Sequence, residues 1–180
     1  RRSEIMKKII FLFLFFNSLS FFVSKAEATF TPTISILNKE YKLVGKSLLE
    51  YSFFKIDVYW VSYYKSSKSN HSLLKFVYAR DIEKDVSNQG WSESLKENLK
   101  EKFSSYKKEI AWLQSKTPDF KEKDVLVILK EGSTGFIIHN GVVKAKTKDK
   151  KILELLHLPW IGPAPINDEL KSNLLGKGIR

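Results

Sequence analysis

The sequence contains no cysteine in its 180 residues. It can therefore form no disulfide, no thiolate metal site and no lipid-modified cysteine, so its hydrophobic core alone must stabilise it. Histidine is also scarce, and His71, His139 and His157 stand far apart, with no metal-ligand spacing such as H-E-x-x-H. We expect no metal site and no other cofactor.

Arginine is rare in the main part of the chain. Beyond residue 28 it occurs only at Arg80 and Arg180. Proteins that bind nucleic-acid phosphates favour arginine, because its guanidinium group donates two parallel hydrogen bonds to one phosphate. The sequence also lacks a phosphate-binding glycine loop and a G-x-S-x-G nucleophile motif. We expect no nucleic-acid partner, no nucleotide site and no serine hydrolase chemistry.

The N-terminal segment has the layout of a secretory signal peptide. Two lysines precede the apolar run Ile9–Phe16, polar residues dilute the stretch that follows, and an Ala-x-Ala sequence ends at Ala28. A spanning helix needs about 20 apolar residues, so a retained anchor is the weaker alternative. We predict a signal peptide over residues 1–28, with a short extension at 1–5, and one domain over 29–180. The mature protein is then periplasmic or secreted.

Positive charge dominates the composition. The chain carries a formal charge of +11, and residues 1–28 contain five Lys or Arg and two Glu, so the mature domain carries +8. Such a charge favours acidic partners. Because the lysines are scattered along the sequence, we interpret them as a solvated coat, and weak contact with an anionic membrane surface stays open as an alternative.

Hydrophobic spacing predicts strands before a central helical zone. Strands are predicted over Ile36–Val44, ending in a turn at Gly45, and over Phe53–Tyr64 and Leu73–Ala79. In the second strand, alternation places the tyrosines on one mixed, aromatic face and leaves the other face strongly apolar. Apolar residues then recur at helical spacing from Trp91 to Leu113. We interpret Trp91, and Trp160 further along, as core residues.

The C-terminal third repeats this order. A strand is predicted over Asp124–Lys130, a hairpin around Asn140-Gly141, and short helices over Ile152–Leu158 and Asp168–Leu175. Strands followed by helices, then strands and helices again, are typical of the α+β class, with an antiparallel sheet and helices on one face.

Seven short motifs follow one another in an order and spacing that resemble a known family. They are Leu43–Leu49, Phe54–Tyr59, Leu74–Ile82, Asp124–Leu129, Asn140-Gly141, Leu158–Gly162 and Leu170–Gly176. Together they span most of the chain beyond the signal segment. The sequence thus resembles the bacterial, exported branch of the chalcone isomerase-like family.

The resemblance implies an open-faced β-sandwich, an antiparallel sheet backed by a helical layer, with a ligand cleft between the two. Members of the family either close a flavanone ring or bind fatty acids. A strand-borne arginine that serves both roles is replaced here by Leu49 or Glu50, and the enzymes' threonine by Phe54. We therefore assign no catalytic residue and expect a non-catalytic binder. An intramolecular lyase or isomerase acting on an enone-like substrate remains the alternative, so enzymatic activity stays an open question.

Four residues are predicted to line the cleft. Tyr59, Tyr63 and Tyr78 fall on adjacent predicted strands, and Arg80 follows at a strand end. Phenol hydroxyls and one guanidinium group would anchor a small apolar or amphipathic, fatty-acid-like ligand. The alternative is structural: the tyrosines are half-buried sheet positions, and Arg80 with Asp81 forms an ion pair or a helix cap. We expect a monomer.

Overall fold

A computed structural model describes residues 30–51, 55–68 and 70–178. The predicted signal peptide and Phe54 lie outside these residues. Seven strands form one antiparallel sheet in which neighbours in sequence are neighbours in space. The strands are β1 (Thr33–Ile36), β2 (Lys39–Tyr51), β3 (Ile56–Lys65), β4 (His71–Tyr78), β5 (Val125–Glu131), β6 (Thr134–His139) and β7 (Val142–Thr147).

Two groups of helices cover one face of this sheet. The helices are α1 (Lys84–Leu99), a 3₁₀ segment (Lys100–Tyr106), α2 (Lys107–Lys116), α3 (Lys150–Leu155), α4 (Leu158–Ile161) and α5 (Asp168–Leu174). The first three connect β4 to β5, and the last three follow β7. The predicted α+β class and helix-backed antiparallel sheet are confirmed. Among the described residues, no helix is both long and apolar enough to cross a bilayer.

The sheet has a buried cluster on each face. The helix-facing cluster includes Val61, Phe76 and Ile128, together with apolar residues of every α-helix. The outer cluster exists because β1 and the start of β2 fold over the sheet and cover residues such as Leu129 and Phe136. Tyr41 on β2 donates a hydrogen bond to Glu131 on β5, at 3.4 Å, which ties this flap down.

Gly45 does not form the predicted turn. β2 continues through it with a register shift between Leu43 and Gly45. A Cβ atom at Gly45 would overlap the backbone carbonyl oxygen of Asn173 and lie 2.7 Å from that of Leu174. The glycine is therefore explained by the close approach of α5 to the sheet and not by chain reversal.

The helical zone is divided where the sequence predicted one continuous stripe. Lys100 has a φ of 49°, which separates α1 from the 3₁₀ segment. Asp81 does not cap α1, because the cap position is Glu83, and the first helical amide, that of Lys84, donates to Asp119 Oδ1 at 2.7 Å. Asp81 instead accepts hydrogen bonds from Lys121 Nζ at 2.8 Å and from the Glu122 amide at 2.9 Å.

The predicted hairpin and the last helix agree with the structure. Asn140 and Gly141 both have positive φ, 49° and 79°, as a type I′ turn requires. Asn167 caps α5 through the Leu170 amide, and Gly176 follows the helix with a φ of 70°. Trp91 and Trp160 are both buried, as predicted.

His157 fastens the C-terminal helices to the sheet. Its Nε2 lies 3.0 Å from the Ile128 carbonyl oxygen of β5, and its ring meets that of Tyr63 edge to face. Complete burial lowers the pKa of His157 to about 3. The imidazole is therefore neutral in the folded protein and donates its Nε2 proton to the carbonyl.

We expect Gly45→Ala to destabilise the protein by about 2 kcal/mol or more, because backbone of α5 leaves no room for the methyl group. Gly90→Ala is the matched control: Gly90 lies in α1 with nothing within 4 Å of its would-be Cβ. That change should stabilise the helix by roughly 0.5–1 kcal/mol. Urea unfolding measures both, and equal effects would contradict the packing described for Gly45.

We expect the free energy of unfolding to fall as the pH drops below about 6.5. In this range His157 of the unfolded chain is protonated, whereas His157 of the folded protein stays neutral until about pH 3. Each pH unit in this window removes about 1.4 kcal/mol from the free energy of unfolding, so pH 5 costs about 2 kcal/mol relative to pH 7. His157→Gln keeps an N–H donor without the titration. Parallel pH profiles of the two proteins would contradict the assignment.

Candidate functional site

An aromatic cluster fills much of the space between the sheet and the helices. Its members are Tyr59, Phe76, Tyr78, Trp91, Phe120 and Trp160. Their rings lie 4.0–5.7 Å apart, from the stacked pair of Tyr78 and Phe120 to the edge-to-face pair of Tyr59 and Tyr78. Trp160 Nε1 donates a hydrogen bond to the Tyr59 hydroxyl at 2.8 Å and so joins α4 to β3.

Burial sets the chemistry of the two tyrosines in this cluster. Desolvation raises the pKa of Tyr59 far above its ordinary value. Burial, followed by the nearby Tyr59 and Asp124, raises the pKa of Tyr78 in the same direction. Both phenols therefore remain protonated at neutral pH. They can donate or accept hydrogen bonds, but they do not act as bases.

The structure brings together some of the residues predicted to line a cleft. Tyr59 and Tyr78 are direct cross-strand neighbours on the helix-facing side, and Tyr63 lies on the same face four residues along β3. All three are less than 10% exposed. Arg80 lies two residues beyond the end of β4, on the far side of Tyr78 from Tyr63. The role of these four residues in binding stays a prediction.

A pocket of about 630 Å³ opens at the other end of the sheet. It is bounded by residues 98–102, where α1 passes into the 3₁₀ segment, by Tyr106, by Glu154 and Leu158 of the C-terminal helices, and by Lys130 of β5. Leu99, Leu158 and the Tyr106 ring supply apolar wall. The pocket is an open depression at the surface and not an enclosed cavity.

Lys130 is the half-buried cation of this pocket, whose lining also includes Lys100 and Lys102. It is two residues beyond Ile128 on β5, so it points toward the helices, and its side chain is half-buried. Desolvation lowers the pKa of Lys130, and Glu154 opposes that shift only partly. Among the described residues, no carboxylate lies within 4.0 Å of its ammonium group. The nearby Glu154 instead accepts a hydrogen bond from Tyr106 at 2.7 Å.

Sequence reasoning missed Lys130, although a signal was present. The residue was assigned to a strand end, and the alternation Leu126, Ile128, Lys130 places it on the face of two core residues. The sequence alone did not indicate that helices cover this face as far as Lys130.

The histidines do not form a metal site. His139 pairs with Asp124 at 2.9 Å, and His157 bonds to the sheet backbone. No group of three or more potential ligands lies close enough to hold a metal ion within the part of the chain that the structure describes.

Comparison with known proteins identifies the family. The family model described as chalcone isomerase-like matches residues 22–176. No curated protein matches the sequence. Among solved structures, a fatty-acid binding protein of Arabidopsis thaliana superimposes with a TM-score of 0.68 at 13% identity, over 85% of this chain and 94% of the plant chain. At that identity the superposition shows a common fold. The family model spans most of the sequence, and the chain belongs to the chalcone isomerase-like family.

Proposed function

We propose that this protein is an exported, non-catalytic binding protein for a small amphipathic ligand such as a fatty acid. The observation that carries the proposal is the half-buried Lys130, which faces an open pocket without a paired carboxylate. A cation in a partly apolar site is stabilised by an anion that shares its low-dielectric surroundings. The plant protein of similar fold is a fatty-acid binder by its description, which supports the ligand class.

The ligand's two parts match the two parts of the pocket. A carboxylate would bind to the ammonium group of Lys130. The hydrocarbon chain would lie along Leu99 and Leu158 and over the Tyr106 ring. Lys130 on β5 would thus take the role that the resemblance gives to a strand arginine, whose place on β2 is taken by Leu49 or Glu50; Leu49 packs against the core.

The lining of this pocket includes none of the three predicted tyrosines, which lie further along the same face of the sheet. Cross-strand neighbours form successive rows on the helix-facing side of the sheet. The row that contains Tyr63 is next to the row of Lys130, and the row of Tyr59 and Tyr78 is the farthest from it. Tyr63 would therefore meet the hydrocarbon chain first, and only a long chain would reach the deeper pair. Arg80 lies beyond that pair, so we place it at the end of the cleft opposite to the end where the ligand carboxylate would bind.

A binder explains the tyrosines better than an isomerase does. Enone cyclisation needs a group that takes up a proton, and burial keeps the phenols of Tyr59 and Tyr78 protonated. Their hydroxyl groups suit hydrogen bonding and packing.

We expect Lys130→Met to weaken binding of decanoate by about tenfold or more, because the carboxylate loses its counter-ion while the pocket keeps its volume. Isothermal titration calorimetry measures the affinity. Lys130→Arg should restore most of it. Lys75→Met is the matched control, since Lys75 lies on β4 opposite Ser62, on the outer face of the sheet. Equal affinity of wild type and Lys130→Met, or an equal loss in the control, would contradict the assignment of the pocket.

Export has its own test. When the whole chain is expressed in a bacterial host with an outer membrane, we expect the protein in the periplasmic fraction with a mature N-terminus at Thr29, as the Ala-x-Ala sequence ending at Ala28 predicts. Intact-mass spectrometry identifies the terminus. A cytoplasmic protein that retains residues 1–28 would contradict export and leave the ligand proposal standing.

A further inference from the structure

Three lysines lie in one row across four adjacent strands, beside the pocket mouth. In the sheet register Lys42 of β2 is opposite Lys65 of β3, Lys65 is opposite Ser72 of β4, and Ser72 is opposite Lys130 of β5. Residues directly opposite one another project from the same face of a sheet. This lysine row therefore lies on the helix-facing side, at the end where the helices stop covering the strands.

The row is electrostatically unfavourable in the isolated protein. Like charges directly opposite each other on neighbouring strands destabilise a sheet, and Lys42 and Lys65 form such a pair. Within the described residues, none of the ammonium groups of Lys42, Lys65 and Lys130 has a carboxylate within 4.0 Å. Lys65 finds only the face of the Tyr63 ring, at 5.5 Å. Within the described residues the fold offers this exposed pair no carboxylate, so solvent ions or an anionic surface would balance its charge.

The surroundings extend the positive charge. Lys100 and Lys102 line the pocket mouth, where the acidic residues are Glu101 and Glu154. Lys39, on the opposite face, is by contrast paired, because its ammonium group lies 2.7 Å from the Glu131 carboxylate. Lysines without a carboxylate partner also lie elsewhere in the described residues, such as Lys46 and Lys146 on the outer face. What distinguishes the row is the register that places Lys42 directly opposite Lys65.

We propose that the lysine row docks this protein onto an anionic lipid bilayer, with the mouth of the cleft against the membrane surface. Lysines near such a surface attract it through the negative potential of its headgroups, and each contributes a roughly fivefold gain in partitioning. Docking in this orientation lets a ligand pass between bilayer and pocket without crossing water. Docking itself needs no ligand, whereas that passage rests on the proposed function.

The test uses protein purified from the exporting host after its N-terminus is determined. Binding is measured by co-sedimentation with vesicles of phosphatidylcholine alone and with 40% phosphatidylglycerol, at low and high salt. The variant Lys42→Gln with Lys65→Gln removes two charges from the row. Its matched control, Lys46→Gln with Lys146→Gln, removes two exposed charges from the outer face.

We expect binding only to the anionic vesicles, with suppression by salt. The row variant should bind about 30-fold more weakly, and the control should stay within about threefold of wild type. Equal losses in the two variants would show attraction by net charge without orientation and overturn the proposal. Binding to neutral vesicles as strong as to anionic ones would overturn it as well.

Thermal melting without lipid gives a second readout. Removing the repulsion between Lys42 and Lys65 should raise the melting temperature of the row variant by about 1–3 °C. A lower melting temperature would show that the lysines serve the fold and contradict a docking role. Decanoate affinity in solution separates the two proposals: docking can hold when wild type binds no decanoate, and decanoate binding can hold when the row variant docks normally.

Discussion

The rest of the structure depends on the packing of aromatic rings between sheet and helices. Tyr59 and Trp160 stand 101 positions apart in the sequence and share a hydrogen bond inside this layer. Around them, rings from β3, β4, α1 and α4 fill the space at one end of the sheet. Aromatic side chains contribute large buried areas, so this cluster holds the two layers together without a disulfide.

The same packing decides where a ligand can enter. Rings fill the end that contains Tyr78, and a pocket of about 630 Å³ lies at the other end, around Lys130. A second pocket, of about 270 Å³, lies between β2 and α5. Partial desolvation around Lys130 lowers the pKa of a lysine below its value in water, and a bound anion would raise that pKa again. The core and the proposed binding site are thus two ends of one interface, one closed by rings and one left open and charged.

Local signals in the sequence predicted local structure well. Asn140-Gly141 specified its hairpin because a type I′ turn depends on those two residues alone. Alternation also placed Tyr59 and Tyr63 on one face of the sheet, since strand periodicity is local. Gly45 was assigned wrongly because its reason is a helix about 130 positions later. Lys130 was missed because its environment is made by residues 98–106 and 154–158, which no local pattern connects to β5.

The ammonium group of Lys130 is the proposed anchor for an anionic amphiphile. The most direct measurement is NMR titration of lysine side chains labelled with ¹³C and ¹⁵N, with and without decanoate. We expect Lys130 to titrate below ordinary lysines in the free protein. Decanoate should raise the pKa of Lys130 and leave the side-chain signals of Lys75 and Lys146 in place. An ordinary pKa for Lys130 that decanoate leaves unaltered would contradict the proposed anchor.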